Sequence, residues 1–167
     1  KDNIHVLESP IFSNSQFEKF TVFFKENLKV LDCTFDVQNN LKKRLDQLCT
    51  EAEIAVREGC KHLILSDKKI SEKKAAVPMI LAIGAINSRL VNLGIRGFVS
   101  INVQTGEVLD THSFAVLLGI GATIINPYLV FDSIYQRYEK KLFGKFRYEE
   151  CIQRYIKSVD NGLLKIM

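Results

Sequence analysis

Residues 97–132 read GFVSINVQTGEVLDTHSFAVLLGIGATIINPYLVFD, and their punctuation leaves few folds open. Phe98 to Val103 is β-branched and aromatic, with Ser100 and Asn102 interrupting the apolar run, so it reads as a strand. Thr105-Gly106 is a turn pair. Asp110 or Thr111 can cap a short helix through Leu118, and Gly119 can end it in a left-handed conformation. Thr123-Ile124-Ile125 is a second, short buried strand. Asn126-Pro127 then opens another helix, with a capping side chain and a proline at the first helical position, where its missing N–H is harmless. Two parallel strands joined by a helix over so short a span make a β/α unit.

Similar units precede it. Ile4 to Glu8 reads as a first short strand, broken by Ser9-Pro10. Ser15 and Glu18 fit a capping box for a helix through Lys25. On that helix Phe17, Phe20 and Phe24 recur at helical spacing; we read them as a core-facing stripe rather than a ligand groove. Lys29 to Cys33 reads as a strand and Thr34 to Asn40 as its exit loop. Leu41, Leu45, Leu48, Ala52 and Ala55 then share one side of a helix, Glu53 and Arg57 are ordered for an i,i+4 pair, and Gly59 is the terminator. His62 to Ser66 is a strand ending at Asp67, and residues 71–76 read as a loop or a short turn of helix. Pro78 opens a helix that is apolar almost all round and stops at Gly94; such a helix is buried between layers or at an interface. After Pro127 the helix runs to about Lys141. The last starts near Tyr148, with Asn161-Gly162 as a point of interruption.

The count is five strands, each followed by a helix, which implies parallel strands with helices outside. The fold class expected is α/β: about five β/α units on a parallel sheet, in a partial, rudimentary TIM-barrel-like arrangement or an open three-layer one. Asp32, Asp67, Asn102 and Asn126 fall at or near the C-terminal ends of strands, where β/α folds place sites.

With 167 residues the chain has the length of one domain with a sizeable core. No apolar run reaches the length of a membrane span. The first ten residues lack the basic-then-apolar order of a signal peptide, and with Lys1 rather than methionine first, a piece of a longer protein is the expectation. The net charge of +4 is mild. Lys68, Lys69, Lys73 and Lys74 cluster in one region, and Lys140, Lys141, Lys145 and Arg147 in another. A nucleic-acid patch needs interleaved aromatics or a known motif, and neither is visible, so these read as solvated surface lysines. Cys33, Cys49, Cys60 and Cys151 have no C-x-x-C or zinc spacing, which points to reduced, packed thiols in a cytoplasm.

Chemistry is sparse. Gly119 and Gly121 suggest a dinucleotide loop, but they follow a helix and precede a strand, the reverse of that fingerprint. His112 stands after the fourth strand with Asp110 near it, and a His–Asp pair can act as a general base. No nucleophile is placed beside it, so a packed or capping histidine is preferred. His5 and His62 sit in strand patterns and read as structural. Asp32, Asp36 and Asp67 are either converging carboxylates or caps of the helices that follow, and we favour caps.

Six blocks carry a resemblance: residues 31–35 (LDCTF), 55–59 (AVREG), 64–67 (ILSD), 77–82 (VPMILA), 112–121 (HSFAVLLGIG) and 126–129 (NPYL). In this order they resemble the central domain of the large chain of glutamate synthase. Residues 155–167 are similar to the opening of that family's flavin-binding domain. Ser113 departs from the family, which often has a second histidine there. The resemblance implies a parent enzyme that converts glutamine and 2-oxoglutarate to two glutamates. An amidotransferase domain would release ammonia, and a tunnel would carry it to a barrel holding FMN and an iron–sulfur cluster. Reductant would come from a small subunit or ferredoxin. The family's nucleophile, FMN-contacting and cluster-ligating motifs all lie outside these residues, so no catalytic, cofactor or metal residue is carried over. The expected role is a connector, with residues 1–150 as the central domain and 151–167 as the start of the FMN-binding domain. His112, Asp67, Asn126 and Tyr128 remain as structural or interface candidates. The alternative is a free-standing small β/α enzyme using His112 with Asp110 or Asp67.

Overall fold

A computed structural model describes residues 7–166. His5 and residues 4–6 of the expected first strand lie outside these residues; Leu7 and Glu8 belong to no strand. In chain order the elements are α1 (Asn14–Phe23), β1 (Leu28–Asp32), β2 (Thr34–Asp36), α2 (Leu41–Arg57), β3 (His62–Ser66), β4 (Lys74–Ala76), α3 (Met79–Asn92), β5 (Ser100–Gln104), α4 (Thr111–Gly119), β6 (Ile124–Asn126), α5 (Tyr128–Glu139) and α6 (Tyr148–Ile166). Single 3-10 turns cover Lys25–Asn27 and Arg96–Phe98.

Strand alternation divides the sheet into two unlike faces. β1, β3, β5 and β6 form a parallel sheet in that spatial order, following the chain without reversal. The register sets Leu31, Leu65, Val103 and Ile125 side by side on one face. They share one core with Leu48 and Ala52 of α2, Ile83 and Ile86 of α3, Phe114 of α4, Phe131 of α5 and Val159 of α6. The adjacent row, Val30, Ile64, Asn102 and Ile124, points the other way. There Ile64 and Ile124 meet Phe17 of α1, flanked by Phe12, Phe20 and Leu28. Parallel sheets ordinarily bury both faces under helices. Here the helical core covers one face, and α1 covers part of the other.

Among the described residues the sheet is open: β1 is one edge, and beyond β6 lies a parallel bridge between Ile11 and Ile125. Ile125 accepts from Phe12 N at 3.0 Å and donates to Pro10 O at 2.8 Å. The arrangement is therefore an open α/β one, with a small antiparallel ribbon, β2 with β4, beside it.

Local chemistry fixes the joints. Asn40 caps α2 by accepting from Lys42 N at 2.8 Å. Glu53 takes Arg57 at 2.9 Å, the i,i+4 pair expected, and Arg89 of α3 at 2.8 Å. Gly59 and Gly94, at φ of +95° and +69°, end α2 and α3 as their spacing predicts. Arg96 donates to Asn87 Oδ1 at 2.7 Å, Val99 O at 2.6 Å and Gly121 O at 2.9 Å, tying α3, β5 and the turn before β6.

Several expectations are corrected. Residues 34–40 and 71–76 are not simply loops; they contribute β2 and β4, three-residue strands too short to leave a periodic signal. The capping box of α1 is Ser13 with Gln16, not Ser15 with Glu18: Ser13 Oγ accepts from Gln16 N, and Gln16 Oε1 accepts from Ser13 N. In the Phe stripe only Phe17 is buried; Phe20 and Phe24 are half-buried. The left-handed residue after α4 is Gly121, at φ +120°, while Gly119 is still helical. Asn126 does not cap α5, because it is a strand residue whose side chain faces the sheet; Pro127 stands at the cap. Asn102 lies at the centre of β5, not its end. Asn161-Gly162 does not interrupt α6: a Cβ on Gly162 would stand 2.6 Å from Thr111 Cγ2, so the glycine serves close helix approach.

Two outcomes follow for α6. In an open helix Gly to Ala gains about 1 kcal/mol, but Gly162→Ala should destabilise the chain, and Thr111→Ser alongside it should recover part of the loss, both read by urea unfolding. Tyr155 packs edge-on against Phe131 at 5.8 Å, with its hydroxyl buried and unpartnered. Burial raises its phenol from 10.0 to about 12. The folded state keeps a proton that the unfolded state loses, so this stability is complete below pH 10 and is lost as pH rises toward 12. Tyr155→Phe should flatten that alkaline loss and add about 1 kcal/mol at neutral pH, measured by unfolding across pH.

Candidate functional site

The C-terminal ends of the strands, where a β/α fold places its chemistry, hold a joint around Asp67. Asp67 follows β3 and is 0% exposed. Thr105 Oγ1 donates to its Oδ2 at 2.6 Å, and Gly106 N lies 3.1 and 3.2 Å from its two oxygens. Burial first, then the nearby Asp67 charge, raise the Tyr128 phenol well above its ordinary range. Lys68 stands 5.4 Å over the Tyr128 ring. The turn comes close enough to α5 that a Cβ on Gly106 would lie 2.5 Å from Leu129 Cδ1. Asp67 thus joins β3 to the turn after β5, and α5 begins beside that turn. Both Asp67 oxygens are engaged.

One register row behind this joint is a ladder of polar side chains. Ser66 Oγ donates to Gln104 Oε1 at 3.0 Å, and Gln104 Nε2 donates to Asn126 Oδ1 at 3.2 Å. Asn126 Nδ2 donates onward to Phe12 O at 3.0 Å and Asn14 Oδ1 at 2.9 Å, and Asn14 reaches Asp132 at 3.0 Å. The ladder clamps α1 to the sheet.

The other carboxylates have local partners. Asp32 accepts from Thr34 N at 3.1 Å and Thr34 Oγ1 at 2.7 Å, with Lys69 at 3.5 Å and Lys74 at 4.0 Å. Burial pushes its carboxyl up, but the Thr34 bonds and the two lysines outweigh this and leave it below the ordinary value. Asp36 accepts from Gln38 N at 2.9 Å. None of Asp32, Asp36 and Asp67 caps the helix that follows, contrary to expectation; the first free amide of α3, Met79 N, goes instead to Glu107 at 3.0 Å.

His112 is exposed on the first turn of α4. Asp110 caps that helix, accepting from Ser113 N at 2.8 Å and Ser113 Oγ at 2.7 Å, and these bonds hold its carboxyl below the ordinary range. Ser113 therefore completes the cap. His112 borders a cavity of about 210 Å³ beside Ile80 and Glu107.

A larger cavity, about 940 Å³, lies between α1 and the sheet. Phe20, Phe23 and Phe24 line it from the helix side, and His62, Ser100 and Asn102 from the sheet. The His62 ring pairs with Ser100 Oγ at 2.7 Å and sits 4.1 Å from the Phe24 ring. Asn102 Nδ2 donates to Leu63 O at 3.2 Å and Ser100 Oγ at 3.1 Å, but its Oδ1 is buried without a partner. Sequence reasoning weighed a ligand groove at the Phe stripe and preferred a core-facing stripe, so it passed over this cavity. Its signal was the alternation Ser100, Asn102, Gln104 in β5, which puts three polar groups on the face that α1 approaches. Among the described residues no group of three His, Cys, Asp or Glu side chains is placed to hold a metal. No helix there is long and apolar enough to cross a membrane.

The joint makes a specific demand. Asp67→Ala should cost about 3 kcal/mol or more because it strands Thr105 and Gly106. In a double-mutant cycle Asp67→Asn and Thr105→Val should be non-additive, by about 1 kcal/mol, read by urea unfolding.

The comparisons with known proteins bear on the whole stretch. A family profile described as the glutamate synthase central domain matches residues 1–167. The large chain of glutamate synthase [NADPH] from Azospirillum brasilense is 41% identical over 96% of this chain and 11% of its own length. The corresponding large chain from Bacillus subtilis (strain 168) is 36% identical over 96% of this chain and 10% of its own. The chloroplastic ferredoxin-dependent glutamate synthase of Oryza sativa subsp. japonica is 36% identical over 96% and 11%. This chain thus spans about a tenth of the length of the relatives it matches. It belongs to the glutamate synthase central domain family.

Proposed function

We propose that this chain is the connector of a glutamate synthase, holding an amidotransferase domain and an FMN-binding synthase domain at a fixed separation and helping to wall the path of ammonia between them. The observation that carries the proposal is how the strand-end polar groups are used. Asp67, Ser66, Gln104 and Asn126 are bonded to one another's strands, to the turn after β5 and to α1, which makes a stiff scaffold. The parent enzyme would form two glutamates from glutamine, 2-oxoglutarate and reducing equivalents, with FMN and an iron–sulfur cluster in its synthase domain. The relatives' names include NADPH and ferredoxin types, so the donor could be either. Residues 151–167 would lead into the flavin domain as part of α6. The sequential strand order and one-sided helices fit the winding of a partial barrel. Four free cysteines fit a reducing compartment such as a cytoplasm.

The second reading, acid–base chemistry by His112 with Asp110 or Asp67, has in its favour the exposure of His112 at the strand-end face. One comparison in a full-length enzyme separates the two. Under the connector reading Asp67→Asn lowers glutamine-dependent glutamate formation while leaving the ammonia-dependent reaction within about twofold, and His112→Ala changes both by less than about threefold. Loss of both reactions in His112→Ala, with melting unchanged, would reverse the choice.

A further inference from the structure

We infer that three helix ends gathered at one corner of the fold, the start of α3, the start of α4 and the end of α6, are the docking face for the domain that follows residue 167 in the polypeptide, the FMN-binding domain of the connector reading. The inference rests on that reading and deepens it by assigning the surface that this domain touches.

α6 runs back along α5, with the ring centroids of Tyr148 and Tyr135 5.5 Å apart and those of Tyr155 and Phe131 5.8 Å apart. At Gly162 it meets Thr111, the first residue of α4. α5 leaves the C-terminal end of β6, so α6 returns toward the strand C-terminal ends. Its buried stripe is Ile156, Val159 and Leu163, and the next position at that spacing is Ile166. Ile166 lies one turn beyond Gly162, past the start of α4, and is 57% exposed. The stripe thus runs a turn further than its cover within the chain.

The neighbouring helix starts carry the same kind of surface. Glu107 accepts from Met79 N at 3.0 Å, which holds the start of α3 against the segment before α4. Ile80 on α3 and His112 and Val116 on α4 line one cavity of about 210 Å³, room for one large side chain. Leu81, next to Ile80, is 45% exposed, and Leu109, the residue before the α4 cap, is 66% exposed. The carboxylates of Glu107 and Asp110 are held by the Met79 and Ser113 amides at the helix starts. Apolar side chains grouped in this way mark an interaction surface.

Connectivity selects the occupant. The relatives are about ten times longer than this chain, so most of such a polypeptide lies outside it. A polypeptide continuing past residue 167 starts beside Ile166, at this corner. That tether gives the following domain a high local concentration, so a small apolar face suffices. The preceding polypeptide arrives elsewhere. Ser9 bonds Asp160 at 2.9 Å, and Asp160, two residues from Gly162, faces the opposite side of α6. A second copy of this chain would bind without a tether.

The test uses the full-length polypeptide with a benzophenone amino acid at position 109, and separately at position 81. Irradiation should link both positions to peptides that follow residue 167 in the same molecule. Crosslinks to peptides preceding residue 1, to a second molecule, only within residues 7–166, or none at all would overturn the inference. Leu81→Asp supplies the second arm. It should cut the position-109 crosslink about fivefold or more, because its carboxylate would lie unpaired in an apolar contact. An unchanged yield would also overturn the inference. If no crosslink forms to the following domain while Asp67→Asn still uncouples the two reactions, the face is wrong and the connector reading stands. Crosslinks to that domain with both reactions unaltered by Asp67→Asn would keep the face and remove the connector reading.

Discussion

A carboxylate taken out of water costs several kcal/mol unless donors meet its charge. Asp67 meets that demand with the Thr105 hydroxyl and the Gly106 amide, both from the turn after β5. Each donor is useless to the carboxylate unless that turn is already in place. One buried charge therefore fixes β3 and β5 against each other at their C-terminal ends. The side-chain ladder from Ser66 to Asn126 carries the same positioning across to α1.

A general base needs an oxygen or nitrogen open to a substrate proton. Asp67 has both oxygens engaged, and Asp110 is engaged by Ser113. Both carboxylates thus serve hydrogen bonds within the chain, in the region where related architectures place catalysis. The helical face is packed as closely, with Phe114 and Phe131 wholly buried against the sheet. On the face toward α1, Asn102 lines a cavity with Phe20, Phe23 and Phe24.

Much of the fold was legible because its signals are local. The turns of period 3.6 in α2, the terminators Gly59 and Gly94, and the β-branched runs of β3 and β5 each act within a few residues. The failures share one cause. Asn126-Pro127 has the local form of a helix cap, but Gln104 on the neighbouring strand and Asn14 on α1 claim the asparagine instead. Gly162 looks like a helix breaker until Thr111 of α4 is seen against it. The pairing of β2 with β4 depends on two three-residue segments separated by the whole of α2 and β3. Tertiary partners decide these cases, and no window of sequence contains both sides.

The candidate site was less legible than the fold, and Ser113 shows why. Read alone, Asp110 beside His112 has the form of a general-base pair. In place, Ser113 gives Asp110 both an amide and a hydroxyl, so the pair closes the start of α4. The same logic applies to His62, whose ring pairs with Ser100 and faces Phe20 and Phe24. The residue types that carry chemistry elsewhere are here fixed by strand register and helix ends. Among the described residues, the buried side-chain oxygen on the sheet left without a partner is Asn102 Oδ1, and it too is set by strand register.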